Sequence, residues 1–193
     1  ADFKKKQSAF NKFVFGPEEQ TPIVKPYGIS VQGTKVYICD TGIKGLIISD
    51  LAENTFDYFI PGGKGQLQFP INCDVDSDGN IYVADGNRKQ VVIFDAELSY
   101  KDAITLKEDV KPTDVSVEGS KIWITAVNDH KIYVYRKSDY SFFASFPEGQ
   151  EKSEGYLYQP ANLSVDDNLI YISDIGACKV HIYDDQMKHL ISF

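Results

Sequence analysis

The 193-residue chain carries 20 basic against 28 acidic residues, a net charge of −8 and a pI near 4.9, which repels a phosphate backbone and sets nucleic acid aside as a partner. With 42% hydrophobic and 25% charged residues it has a globular rather than a disordered composition, and no run of eighteen apolar residues is present to form a membrane-crossing helix. Aromatic residues make up 13%, twelve Tyr and twelve Phe beside a single Met, a set that suits pleated surfaces and points to β structure.

In chain order, the opening ADFKKKQSAF has no initiator Met and no apolar leader, which reads as a processed or trimmed start, and Lys4-Lys5-Lys6 reads as a solvated face. A first strand is predicted at FNKFVFG, residues 10 to 16. PYGISVQGTKVYICD from Pro26 then reads as a hairpin, and GLIISD as a third strand. The same succession returns as TFDYFIPG (55 to 62), PINCDVDSDGNIYVAD from Pro70, and VVIFD. It returns again as DAITL (102 to 106), PTDVSVEGSKIWITA from Pro112 and KIYVY, and a fourth time as SFFASFPEG (141 to 149), PANLSVDDNLIYISD from Pro160 and KVHIYD. The prolines are 44, 42 and 48 residues apart. In each hairpin a valine (Val31, Val75, Val117, Val165) precedes an aromatic residue (Tyr37, Tyr82, Trp123, Tyr171), with turn formers such as Asp78-Gly79 or Glu118-Gly119 between them.

Four strands in a unit of about 45 residues is the period of a β-propeller blade, and the fold class expected is an all-β propeller of four-stranded blades. The grouping expected from this reading is 10–50, 55–95, 102–136 and 141–184, a single partial propeller over 1–193, with MKHLISF (187–193) opening a further blade. An open blade edge would leave unpaired backbone able to support self-association.

The stretch DVDSDGNIYVAD, residues 74 to 85, nearly matches a calcium loop through Asp74, Asp76, Asp78, Gly79 and Asp85. The three sister hairpins make the same turn without those carboxylates, so no cofactor or metal is expected, with calcium at this loop as the lesser alternative. Asp40, Asp85 and Asp174 recur at the end of the second strand, where a carboxylate can accept N–H groups of the following turn, a structural role. Cys39, Cys73 and Cys178 lie far apart and are expected as buried small hydrophobes. PGGKGQLQFP (61 to 70) lacks the Lys-Ser/Thr step of a phosphate loop and reads as a connector, and no Ser stands in a nucleophile elbow.

The pattern of proline, small or polar residue and valine, then [VI]-[YW]-[IV]-x-D, then V-x-[IV]-[YF]-D, resembles the NHL repeat, most closely in VDSDGNIYVADGNRKQVVIFD (75 to 95). The resemblance runs from about residue 10 to 193 and implies a six-bladed propeller, of which four blades are present; six would need roughly 270 residues. The start of the chain, through KPYGISV and YICDTGIKGLIISDL, is similar to bacterial, exported NHL proteins, which implies a periplasmic or cell-surface location. The chain departs from the repeat at Gly45 and Gln90, where a basic residue is usual and Lys131 and Lys179 keep it, and at Ala126, where the third Asp is missing. In such propellers the strand after each proline is innermost, so Tyr27, Asn72, Asp114 and Asn162 are the candidate ligand-binding residues at the channel mouth. Capping of the strand start by the same side chains is the competing reading. His130, His181 and His189 do not occupy equivalent positions, and no catalytic residue is assigned. The function expected is a non-enzymatic binding or scaffold propeller recognising a protein, peptide or glycan. The alternative is a metal-dependent propeller enzyme of lactonase or lyase type.

Overall fold

The computed structural model describes residues 23–107 and 109–193, so the strand expected at 10–16 lies outside the described residues. Among the described residues, four antiparallel sheets of four strands follow one another in sequence. The first holds β1 (Pro26–Gln32), β2 (Lys35–Asp40), β3 (Gly45–Asp50) and β4 (Thr55–Phe59), and the second β5 (Pro70–Val75), β6 (Ile81–Asp85), β7 (Gln90–Phe94) and β8 (Tyr100–Thr105). The third holds β9 (Pro112–Glu118), β10 (Lys121–Ala126), β11 (Lys131–Arg136) and β12 (Phe142–Phe146). The fourth holds β13 (Pro160–Asp166), β14 (Leu169–Asp174), β15 (Lys179–Asp184) and β16 (His189–Ser192). A 3-10 turn at Gly63–Gly65 lies in the connector between the first two sheets, which Arg88 fastens by donating to the carbonyls of Lys64 and Gln66 at 2.9 and 2.7 Å.

Turn chemistry explains the hairpins. Gly33, Gly79 and Gly119 take φ of +59°, +82° and +58° between first and second strands, and Asp167 and Asn168 take the same left-handed region in the fourth sheet. The residue before each third strand, Lys44, Lys89, His130 or Cys178, is also left-handed, with φ from +53° to +57°. Cys178 is therefore on a turn and exposed, unlike buried Cys39 and Cys73, which corrects the expectation that all three cysteines are core residues.

Within each sheet the alternation of side chains feeds two interfaces. Tyr37, Cys39 and Leu46 of the first sheet pack on Cys73, Val83, Val92 and Phe94 of the second. The opposite face of the second sheet, through Tyr82, Val91 and Ile93, meets Val115, Ile122 and Ile124 of the third. Trp123, Ile132 and Phe146 in turn meet Leu163, Ile170 and Tyr183 of the fourth. Three apolar layers thus join four sheets, and burial of both faces explains the near-continuous apolar runs of β6, β7, β10 and β11.

The expected grouping of strands is corrected. Each strand ahead of a proline pairs with the strand immediately before it, the third of its sheet, and completes the preceding sheet. The bounds 10–50, 55–95, 102–136 and 141–184 therefore shift to sheets that begin at each proline, and His189–Ser192 does not open a further unit but pairs with β15 as the fourth strand of the fourth sheet. The reason is loop length: four or five residues join third to fourth strands, which enforces a hairpin, whereas six to thirteen residues lead on to the next proline.

Candidate functional site

The first strands β1, β5, β9 and β13 lie side by side across the four sheets, and their polar residues bond from one sheet to the next. Ser30 Oγ donates to Asp74 Oδ1 at 3.1 Å, and Asp74 Oδ2 accepts Val117 N–H at 2.7 Å. One level along, Asn72 Nδ2 donates to Asp114 Oδ1, which also accepts Val115 N–H, while Asp114 Oδ2 accepts Leu163 N–H at 2.7 Å. Asn162, next to Leu163 on β13, is exposed, and its backbone N–H donates to Ser173 Oγ at 3.2 Å. Two of the four candidate channel residues, Asn72 and Asp114, are thereby bonded to each other, as a link between sheets. Asn72 also lies against the backbone of Gly28, where any side chain would collide with it. Tyr27, the fourth, is 62% exposed beside the ring of Phe69, centroids 6.2 Å apart, and takes no part in that row.

Asp114 is only 3% exposed. Burial raises its pKa to about 7, although the N–H groups of Leu163 and Val115 and the Asn162 side chain work in the opposite direction. Burial likewise raises Asp74, against its bonds to Val117, Val75 and Ser30.

Asp40, Asp85 and Asp174 sit where the next connector meets the end of a second strand, and each accepts four backbone N–H groups. For Asp40 these belong to Val24, Lys25, Gly42 and Ile43, for Asp85 to Gln68, Phe69, Asn87 and Arg88, and for Asp174 to Tyr158, Gln159, Gly176 and Ala177. Burial opposes ionisation of Asp40, but these donors outweigh it and hold its pKa below the ordinary carboxylate value. In the third sheet, where Ala126 replaces the acid, Asn128 serves instead: its Oδ1 accepts Lys111 N–H at 3.0 Å and its Nδ2 donates to the Asp109 carbonyl at 2.7 Å. A polar residue two places after the missing acid was the signal for it in the sequence.

The carboxylates of the 74–85 stretch diverge to three sets of partners. Asp74 and Asp85 are engaged as above, while Asp76 accepts the N–H groups of Asp78 and Asn80 and the Tyr82 hydroxyl. Across the sheet boundary Lys137 Nζ lies 2.9 Å from Asp76 and 3.0 Å from Asp78. Replacing Lys137 with Met removes the cationic partner of a buried carboxylate, and the expected loss is about 1–3 kcal/mol in urea unfolding, little changed between 0.05 and 0.5 M salt in these order-of-magnitude terms.

The histidines give a result that spacing in the sequence does not reveal. His181 and His189 meet through Ser192, whose Oγ is 2.8 Å from His181 Nδ1 and 2.7 Å from His189 Nε2. His181 Nε2 points toward Asp174 Oδ2 at 3.6 Å, and burial lowers the His181 pKa despite that carboxylate. His130 is elsewhere, stacked on Tyr156, which in turn meets Tyr158 edge to face at 4.9 Å. Among the described residues no group of three or more His, Cys, Asp or Glu side chains is arranged to hold a metal ion, and no described helix is long and apolar enough to cross a membrane.

No family model and no curated protein matches the chain. Solved structures do match. A streptogramin B lyase superposes with a TM-score of 0.72 at 16% identity, over 91% of this chain and 56% of that one. A catalytically inactive virginiamycin B lyase from Staphylococcus aureus with quinupristin gives 0.72 at 17% identity over 91% and 57%, and a chain of a nidogen/laminin complex 0.75 at 15% over 91% and 65%. The chain is a β-propeller protein. Its four sheets are blades, and it spans between 56% and 65% of the length of these structures. At such identities the likeness is one of fold, and the residues of the site have to speak for themselves.

Proposed function

We propose that the chain is part of a binding or scaffold propeller of the NHL type, with six blades when complete, that recognises a protein, peptide or glycan outside the cytoplasm. The observation that carries this reading is the division of labour at the proline end of the blades. The polar side chains of the inner strands, Asn72, Asp74 and Asp114, are spent on blade-to-blade bonds, while apolar and aromatic side chains face solvent around them. Tyr27 and Ile175 are well exposed there, Phe69, Tyr156 and Tyr158 are half-buried, and exposed His130 stacks on Tyr156. Rigid aromatic anchors beside satisfied polar groups suit recognition of peptide or sugar faces. No cofactor forms part of this reading. The second reading, a metal-dependent lactonase or lyase, is favoured by one observation, the buried carboxyl of Asp114 with its pKa raised to about 7.

The test is equilibrium binding of the untagged gene product to peptide and glycan arrays, in parallel with turnover of lactone and ester substrates with and without added Ca²⁺ or Zn²⁺. Saturable binding that weakens about tenfold or more in Tyr27→Ala or Tyr158→Ala supports the binding reading by the usual scale of aromatic anchors. Metal-dependent turnover abolished by Asp114→Asn would establish the enzyme reading.

A further inference from the structure

At the end of the blades opposite the prolines, a cavity of about 460 Å³ opens between blades three and four, within the roughly 300–1,000 Å³ of small-ligand sites. Its mouth carries Glu118 from the β9–β10 turn, Asp166 and Asp167 at the β13–β14 turn, and Asp185 just after β15. All four are exposed, and among the described residues none of these carboxylates is in a salt bridge. The one base of the lining, Lys121, donates instead to the Asp185 backbone carbonyl at 3.3 Å and lies over the ring of Trp123. Trp123 lines the same cavity, is 2% exposed, and its indole Nε1–H has no hydrogen-bond partner. A buried N–H without an acceptor is destabilising, and an occupant that offers one relieves it.

Between blades two and three the protein closes the corresponding place itself. The register aligns Glu118 with Asp76 and Trp123 with Tyr82, and Asp185 follows β15 as Lys137 follows β11. There Asp76 accepts the Tyr82 hydroxyl at 3.1 Å, and Lys137 Nζ reaches across the boundary to within 2.9 Å of the same carboxylate. Between blades three and four the acid is exposed, the aromatic donor is unpaired, and Asp185 stands where the cation would be. Two groups are therefore wanting: a cation among the carboxylates and an acceptor for the indole. We infer that this groove binds a basic peptide segment, its Lys or Arg side chain among Glu118, Asp166, Asp167 and Asp185 and a backbone carbonyl of the peptide accepting the Trp123 N–H. No three of the described acids converge as metal ligands, so the groove suits an organic cation rather than an inorganic one. Both walls belong to described blades, and the site lies at the far end of the blades from Tyr27 and Tyr158, so it stands or falls apart from the surface proposed there.

The test follows the Trp123 indole N–H resonance of the untagged gene product, labelled with nitrogen-15 and assigned by its loss in Trp123→Phe. The probes are capped tripeptides with a central lysine, arginine or glutamate between glycines, and n-butylamine, which brings a cation without an acceptor. The expected result is a saturable shift with the two basic peptides alone. Asp185→Lys should weaken their binding about tenfold or more, the scale of reversing one charge beside a bound cation, and Tyr158→Ala should leave it unchanged. The variant restores the residue type of Lys137, which favours its folding. If it does not fold, Asp167→Asn, at a left-handed turn position that asparagine tolerates, replaces it with an expected loss of about threefold. No shift with the basic peptides, an equal shift with the acidic one, or unaltered affinity in the charge variant would overturn the inference. So would butylamine binding as tightly as the lysine peptide, since the indole would then take no part, or binding lost in Tyr158→Ala, since the peptide would then sit at the proline end.

Discussion

Asp174→Ala is expected to destabilise the protein by about 3–5 kcal/mol, the range for stripping a buried group from several donors at once. The substitution leaves the N–H groups of Tyr158, Gln159, Gly176 and Ala177 without their acceptor, at the point where the connector from blade three joins blade four. Asp85→Ala removes four bonds of the same kind, yet its cost is expected to be lower by roughly 1–2 kcal/mol, on the scale of one or two recovered hydrogen bonds. The difference lies two residues on. Blade three shows that an asparagine there can bind the residue before the proline when the acid is absent, as Asn128 binds Lys111 beside Ala126. Blade two has Asn87 in that place, whereas blade four has Gly176, which offers no side chain. Urea midpoints of the two variants decide it. Equal losses would mean that Asn87 does not take over.

Stability should also fall as the pH rises from about 4 to about 7, and Asp114 is the main source. Its folded pKa of about 7 lies above the ordinary 3.8, so the native state binds the proton more tightly than the unfolded chain. The contribution is complete below the unfolded value, declines as the pH rises, and is gone above about 7. The distance between those two values bounds it at roughly 4 kcal/mol. Asp74, also raised by burial, adds a slope of the same sign. Asp40 and Asp76 act in the opposite sense: their depressed pKa values give stability that is present above the ordinary value and lost as the pH falls further. His181, depressed by burial, adds a loss as the pH falls below its ordinary 6.5. Asp114→Asn, which cannot ionise, should flatten the decline between pH 4 and 7 to the remainder due to Asp74. An unchanged profile would show that Asp114 keeps its charge in the native state through bonds to Asn72, Val115 and Leu163.

Propeller architecture was legible in the sequence because its causes are local. The proline interval, the turn glycines at 33, 79 and 119 and the alternation of Val and Tyr each report on a single hairpin, and all four hairpins agree. The blade bounds were misread because a strand's own residues do not say which neighbour it pairs with. The four- and five-residue turns at 51–54, 95–99, 137–141 and 185–188 did carry that information. The carboxylate clamps were visible as a recurring Asp, and their substitute at Asn128 only as a break in the recurrence. The row through Ser30, Asn72, Asp74 and Asp114 could be placed on the inner strands, but its bonds run between residues more than forty positions apart. No single-blade pattern encodes those distances. His181 and His189 are close in sequence, but Ser192 joins them only once β16 is assigned to the fourth blade.

Because every blade closes its own hydrogen-bond ladder within one repeat, cooperativity has to come from the three apolar layers and the polar row between neighbours. Blades two and three are held from both sides, and blades one and four from one side each among the described residues. Coupling along the described blades therefore runs from neighbour to neighbour, as in a one-dimensional array, and the middle pair links the other two. A substitution at Phe94 or Ile124 is felt by the entire array, while one on β16 is felt by its own blade.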